Sequence, residues 1–171
     1  MMPRNSWPMC VKWFLMPKRK KTLRLHNHPN RDDLGDRDVI FSKVVYIEQD
    51  DFREEANKKY KRLVLGKRVR LRGAYVIEAE SVVKDAAGNL LEIHCSYDGD
   101  SRSGSGTEAS QRKVKSTIHW VSVAYAIQAE VREYDRLFLD ESPDTHESKS
   151  YMDFINPNSL KVIKNAYLEP H

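Results

Sequence analysis

The sequence predicts an all-β protein of sandwich or barrel type, more naturally two small antiparallel barrels than one large one. Three features carry that expectation. Short stretches in which apolar and polar residues alternate recur along the chain, which is the mark of half-buried strands. No segment places apolar residues at helical spacing over a long run, and no internal repeat is present. Turn-forming segments rich in Gly, Pro, Asn and Asp separate the alternating stretches at short intervals. A chain of 171 residues with strands on both sides of a central hairpin divides more naturally into two small barrels than it closes into one large one.

Taken in order, residues 1–25 (MMPRNSWPMCVKWFLMPKRKKTLRL) mix Trp, Met and Pro with a basic KRKK run and show no clean period, so they remain unassigned. HNHPNRDDLGDR (26–37) reads as a chain reversal, and KVVYIE (43–48) as a strand. QDDFREEANKKY then suggests a short helix, capped by Asp50 or Asp51 with Glu54 in its first turn. From Lys67 alternation dominates: Arg68, Arg70 and Arg72 interleave with Val69 and Leu71, and a second strand runs on through Tyr75, Ile77 and Ala79. DAAGN (85–89) joins it to a returning strand, LLEIHCSY (90–97). DGDSRSGSGTEASQR (98–112) has no large apolar residue and predicts a mobile surface loop. STIHWVSVAYAI and QAEVREYDRLF are strand-like, and DESPDTHESKS (140–150) is a polar loop. A helical turn at Tyr151–Ile155, the turn NPNS and a last strand, LKVIKNAYLEP, follow.

Composition narrows the functional classes. The apolar share of 40% supports a core, and 32% charged residues keep the surface wet. Net charge is only +4, so what matters is where the cations cluster. Cys10 and Cys95 stand far apart with no metal-ligand spacing and read as two free thiols, and the six histidines form no zinc pattern. WFLM (13–16) is far short of the ~20 residues that span a bilayer and of a signal peptide's apolar core, so the expected location is cytoplasmic, with no membrane partner.

Eight cations fall within the fifteen residues Lys58 to Arg72, threaded with Leu63, Val64, Leu65, Val69 and Leu71. Alternation puts Arg68, Arg70 and Arg72 on one strand face, about 6.6 Å apart at ~3.3 Å per residue. Like charges on one face repel, so either they are a solvated wall or they answer a polyanion. Neighbouring aromatics, Tyr60 and Tyr75, suit stacking on unpaired bases, which favours RNA. Catalytic signatures are missing by comparison. GSG and SGSG lack the preceding strand and following Lys-Ser/Thr of a phosphate cradle, and the paired aspartates lie in turns, where they serve the backbone.

Several long blocks go further: NHPN (27–30), FREEANKKYKRLVLGKRVRLRGAYVI (52–77), KVKSTIHWVS (113–122), EVREYDRLF (130–138) and INPNSLKVIKNAYLEP (155–170). In that order and spacing they closely resemble the C-terminal anticodon-binding region of the bacterial-type glutamine–tRNA ligase family, over roughly residues 26–171. The resemblance implies a proximal barrel formed by 26–52 with 125–171, C-terminally incomplete, and a distal barrel at 53–124 carrying the loop 98–112. It implies glutamine tRNA as partner, gripped at its anticodon loop. Lys61 and Arg62 match cations that read anticodon bases, with Lys59 beside them. Arg70 and Arg72 match cations on the loop backbone and first anticodon base, Arg68 shares their strand, and Asn30 matches a polar contact near the same loop.

The family's catalytic portion, with its HIGH- and MSK-type motifs, is a further implied partner. Neither motif occurs here, so no catalysis and no cofactor are expected of this chain, ATP belonging to that catalytic portion. Residues 1–25 do not look like the family's first barrel strand, and the chain stops at His171, before the segment expected to complete the proximal barrel. The rival readings are a ribosomal-RNA-binding protein with a similar barrel, the matching domain of an archaeal-type glutamate–tRNA ligase, and a barrel with no RNA affinity.

Overall fold

The computed structural model describes residues 9–13, 20–28 and 30–170, the first of these runs as backbone. The described chain is all-β: its only helical pieces are single 3-10 turns. Its first strands are β1 (Met9–Trp13), β2 (Lys21–His26), β3 (Asp36–Phe41) and β4 (Val44–Ile47). The middle of the chain gives β5 (Phe52–Arg53), β6 (Leu63–Val64), β7 (Arg68–Leu71), β8 (Val76–Lys84) and β9 (Leu90–Asp98). Short strands β10 (Thr117–Ile118) and β11 (Val121–Ser122) precede the long β12 (Ile127–Tyr134) and β13 (Leu160–Leu168).

Seven strands form one sheet in the order β10-β7-β8-β9-β1-β4-β11, and β2-β3, β5-β6 and β12-β13 pair separately. Neighbours are antiparallel except at β1-β9, β10-β7 and β5-β6. No sheet closes into a barrel among the described residues, since β10 and β11 lie at opposite ends of the ladder. The β8–β9 hairpin turns over Asp85–Asn89 as the sequence predicts. The Asp85 carboxylate accepts from Ala87 N–H (2.9 Å) and Asn89 N–H (2.8 Å), and Gly88 takes φ 84°.

Two expectations fail. The region after Glu48 is not a helix: Gln49–Asp51 makes one 3-10 turn and the chain extends at once into β5. Asp51 points inward instead of capping, because Phe52 pairs beside Leu63 and brings Arg62 to it. Among its described residues the unassigned N-terminal stretch holds β1 and most of β2, and KTLRLH in β2 alternates, with Leu23 buried and Thr22, Arg24 and His26 exposed. The thiol of Cys10 lies outside the described side chains; Cys95 is free and buried. The helical turn expected near Tyr151 is present as Tyr151–Phe154, with Ser150 and Asp153 forming a capping box.

By compactness the chain divides into two units, Met1–Ile127 with Tyr167–His171, and Gln128–Ala166. The larger unit holds the core, centred on Phe41, whose ring meets Trp120 edge-on at 5.1 Å and Tyr75 at 5.2 Å. Pairs of this kind contribute about 0.5–1.5 kcal/mol beyond area burial. Arg37 donates to Glu169 at 2.6 Å and Tyr46 packs on Tyr167 at 4.7 Å, fixing the last residues of this unit. In the smaller unit, buried Asn156 knits a loop together: its side chain donates to the Arg136 carbonyl (3.0 Å) and accepts from Asn158 N–H (3.0 Å). No helix of the described chain is long and apolar enough to cross a membrane.

Candidate nucleic-acid interface

The segment between β5 and β6 carries the densest charge, and its shape comes from local hydrogen bonds. The Asn57 side-chain oxygen accepts from the backbone N–H of Lys59 (3.0 Å) and Tyr60 (3.3 Å), which turns the chain. Tyr60 donates its hydroxyl to the Asp50 carbonyl at 2.8 Å, and the Arg53 guanidinium sits 4.6 Å from its ring centroid. Burial pushes the Tyr60 phenol up to about 12, so it stays a donor throughout the physiological range. Lys58, Lys59 and Lys61 are left exposed. Among the described residues the ammonium groups of Lys59 and Lys61 have no hydrogen bond or ion pair.

Arg62 closes the segment. Its Nε lies 3.3 Å from Asp51 Oδ1, and Nη1 donates a long bond, 3.5 Å, to the Thr117 carbonyl. Asp51 is buried, and desolvation raises its carboxyl above the usual range while Arg62 opposes the shift. Half-exposed Arg62 is therefore oriented from behind by a carboxylate and still open to solvent in front.

On β7, Val69 and Leu71 are buried and Arg68 and Arg70 take the other face, as alternation predicts. Their surroundings differ. Arg68 donates through Nε to Glu78 Oε2 at 2.6 Å, which holds its guanidinium above the ordinary value. Arg70 is half-buried and donates to the carbonyls of Ser101 (2.6 Å), Ser110 (2.9 Å) and Arg112 (3.3 Å) and to Ser103 Oγ (3.2 Å). Arg72 lies beyond β7 in a tight turn, where Gly73 adopts φ 67° beneath Leu25. Its backbone is fixed at both ends, N–H donating to the Ile118 carbonyl and the carbonyl accepting from Trp120 Nε1, each at 3.0 Å. Arg72, expected on the same strand face, thus sits in a turn, and of Arg68, Arg70 and Arg72 it alone presents a guanidinium without an intramolecular partner among the described residues.

One short strand gathers these groups. β10 pairs in parallel with β7, setting Thr117 beside Arg70 and Ile118 beside Leu71. Arg62 reaches Thr117, Arg70 N–H donates to Ser116, and Arg72 N–H to Ile118. Exposed Lys113 and Lys115 lead into the same strand, and exposed His119 follows it. Arg62, Arg70 and Arg72 thus converge on β10, with Lys59 and Lys61 on the approach and Arg68 one step along β7. Asn30 stands apart in the β2–β3 turn, its N–H donating to His28 Nδ1 at 3.2 Å, and no contact joins it to the others among the described residues.

Sequence reasoning missed Asp51, Lys113, Lys115 and the role of β10; the KVKS run was a visible signal for the two lysines. It also misjudged Tyr75. That ring is core, packed against Phe41 and Tyr97, and cannot receive a base. Among the described residues no group of three metal-ligating side chains occurs.

Short strands thus bring several cations to one sheet edge, with an aliphatic wall behind. Sequence comparison specifies the class. The chain matches the family model described as "tRNA synthetases class I (E and Q), anti-codon binding domain" over residues 9–98, and a second of the same description over residues 117–171. It belongs to that family of anticodon-binding domains. It is similar to the glutamine–tRNA ligase of Aliivibrio fischeri (strain MJ11), 56% identical over 150 residues. Those of Vibrio parahaemolyticus and of Yersinia pestis (strain Pestoides F) are 54% and 53% identical. Such alignments cover 86–88% of this chain and 26% of each relative, so the chain spans about a quarter of the length of these ligases.

Proposed function

We propose that this chain reads the anticodon loop of glutamine tRNA as the anticodon-binding portion of a glutamine–tRNA ligase. The observation that carries the reading is the Lys58–Arg62 display: a turn fixed by Asn57, Tyr60 and Asp51 that leaves Lys59, Lys61 and half of Arg62 facing solvent. A fixed backbone lowers the entropy that cations would lose on binding, and Arg62 can offer a planar fork to a base edge or phosphate. Arg72 and the lysines before β10 would extend the same surface along the RNA backbone. Asn30 is proposed as a polar contact at the loop's margin. Arg68, neutralised by Glu78, would act chiefly by shaping the strand face.

In this reading residues 26–52 with 125–171 serve as the proximal half and 53–124 as the distal half. Attachment of glutamine, with ATP, would be performed by the catalytic portion of a longer ligase, in the cytoplasm. The glutamate-specific reading is the natural second, because the family description includes both amino acids.

Fluorescence anisotropy with a panel of anticodon stem-loops tests the proposal. The glutamine stem-loop should bind about tenfold or more tightly than an unrelated one, as one good base contact requires. Tighter binding of glutamate stem-loops would select the second reading. Equal binding across the panel would point to a general RNA binder, and no binding at low salt would end the RNA reading.

A further inference from the structure

One side chain of the strand wall, Arg70, binds both limbs of loop 98–112. Arg70 engages carbonyls on the outgoing limb (Ser101) and on the return limb (Ser110, Arg112), with Ser103 Oγ between them. Further bonds tie the outgoing limb down: Ser101 Oγ accepts from Val76 N–H at 2.7 Å, and Ser103 N–H donates to the Ala74 carbonyl at 2.9 Å. Arg112 pairs with Asp98 at 2.6 Å, closing the base of the loop. The return limb has fewer ties, and it runs directly into Lys113, Lys115 and β10. Burial of Arg70 against these carbonyls leaves little of its fork for RNA.

We propose that Arg70 is a positioning residue: a latch that spans both limbs of loop 98–112 and so aims Lys113 and Lys115 beside the Lys58–Arg62 display. The functional half of this inference rests on the RNA reading above; the latch itself does not. A planar guanidinium can satisfy four acceptors on two limbs at once, whereas a lysine ammonium is a point donor and cannot bridge them.

Two measurements test it. In the RNA-free protein, Arg70→Gln and Arg70→Lys should both speed tryptic cleavage at Arg102, Arg112 or Lys113 by about tenfold or more, because opening that was suppressed becomes accessible. Wild-type cleavage rates in both variants would overturn the latch. With the glutamine anticodon stem-loop, Arg70→Lys should lose nearly as much affinity as Arg70→Gln. In a Lys113→Ala/Lys115→Ala background, Arg70→Gln should cost less than about twofold more, since residues acting through one another are not additive. Full retention of affinity by Arg70→Lys, or an undiminished loss in the double-alanine background, would mean that Arg70 touches RNA directly and would overturn the positioning role. Failure of the wild-type chain to bind the stem-loop would defeat the RNA reading and that role with it, while the cleavage arm would still decide the latch.

Discussion

Replacing Arg62 with alanine removes two things at once, and the structure separates them. The arginine side chain is 48% exposed, that of Asp51 only 7%, and their charged atoms are 3.3 Å apart. At that separation two unit charges attract by about 4–5 kcal/mol at an effective dielectric of about 20, before any desolvation cost. Burial nevertheless holds the Asp51 carboxyl above its ordinary value, so desolvation outweighs the attraction. A carboxyl raised in the folded state binds its proton more tightly there than in the unfolded chain. Its stabilising contribution is therefore present at low pH and is lost as pH rises from the unfolded value, near 3.8, through the higher folded one. Arg62→Ala deepens that loss at neutral pH. A fully buried pair would cost about 3–5 kcal/mol to break, and discounting for the exposed arginine leaves about 1–2 kcal/mol. Adding Asp51→Asn removes the stranded charge and should restore the melting temperature. Stem-loop affinity should not follow: it falls about 5- to 150-fold in Arg62→Ala, the equivalent of 1–3 kcal/mol, and stays low in the double variant. Calorimetric melting and anisotropy well below the midpoint measure the two effects. Affinity that recovers together with stability in the double variant refutes a direct contact by Arg62. Lys84→Ala is the control, since its 2.7 Å pair with Glu54 lies on the surface; it should shift stability by less than about 1 kcal/mol and leave affinity unchanged.

Stem-loop binding should weaken steeply between low and physiological salt, and Lys59→Ala and Lys61→Ala should each lower the log–log slope by about 0.7–0.9. A flat salt response would contradict phosphate contacts by this loop. Gly73→Ala should cost about 2 kcal/mol or more, combining the 1–2 kcal/mol of a left-handed residue with a new Cβ placed 2.5 Å from Leu25 Cδ2. An unchanged denaturant midpoint would show that the Arg72 turn is not fixed as described. Burial pushes the Cys95 thiol above its ordinary range, so its peptide should resist iodoacetamide in native buffer and label only through the unfolding transition. Labelling at the rate of a free thiol would refute that packing.

Legibility followed the range of the forces involved. The alternation in RVRL, the Asp85 turn and the helical turn near Tyr151 arise within a few residues, and each is readable from the sequence. Asp51 is the opposite case. As a type it suits a helix cap, and only the pairing of β5 with β6 turns it toward Arg62. Similarly, a loop of Gly and Ser reads as mobile because composition cannot show that Arg70, some thirty to forty residues earlier, binds it. Tyr75 and Tyr60 look alike in sequence, yet one fills the core and the other lies under Arg53. The cations were legible as a cluster; their separation into paired and solvent-facing members depended on partners distant in sequence.

Strand β1 has a position with practical weight. Its backbone fills the slot between β9 and β4, Val11 facing Ile93 on one side and Val45 on the other. This strand leaves the ribosome before either neighbour, β4 following about thirty residues later and β9 only after about eighty, so the sheet cannot zip up in the order of synthesis. Trimming the chain past Trp13 to tidy a sample would split the ladder down its middle and leave two raw strand borders able to recruit other copies.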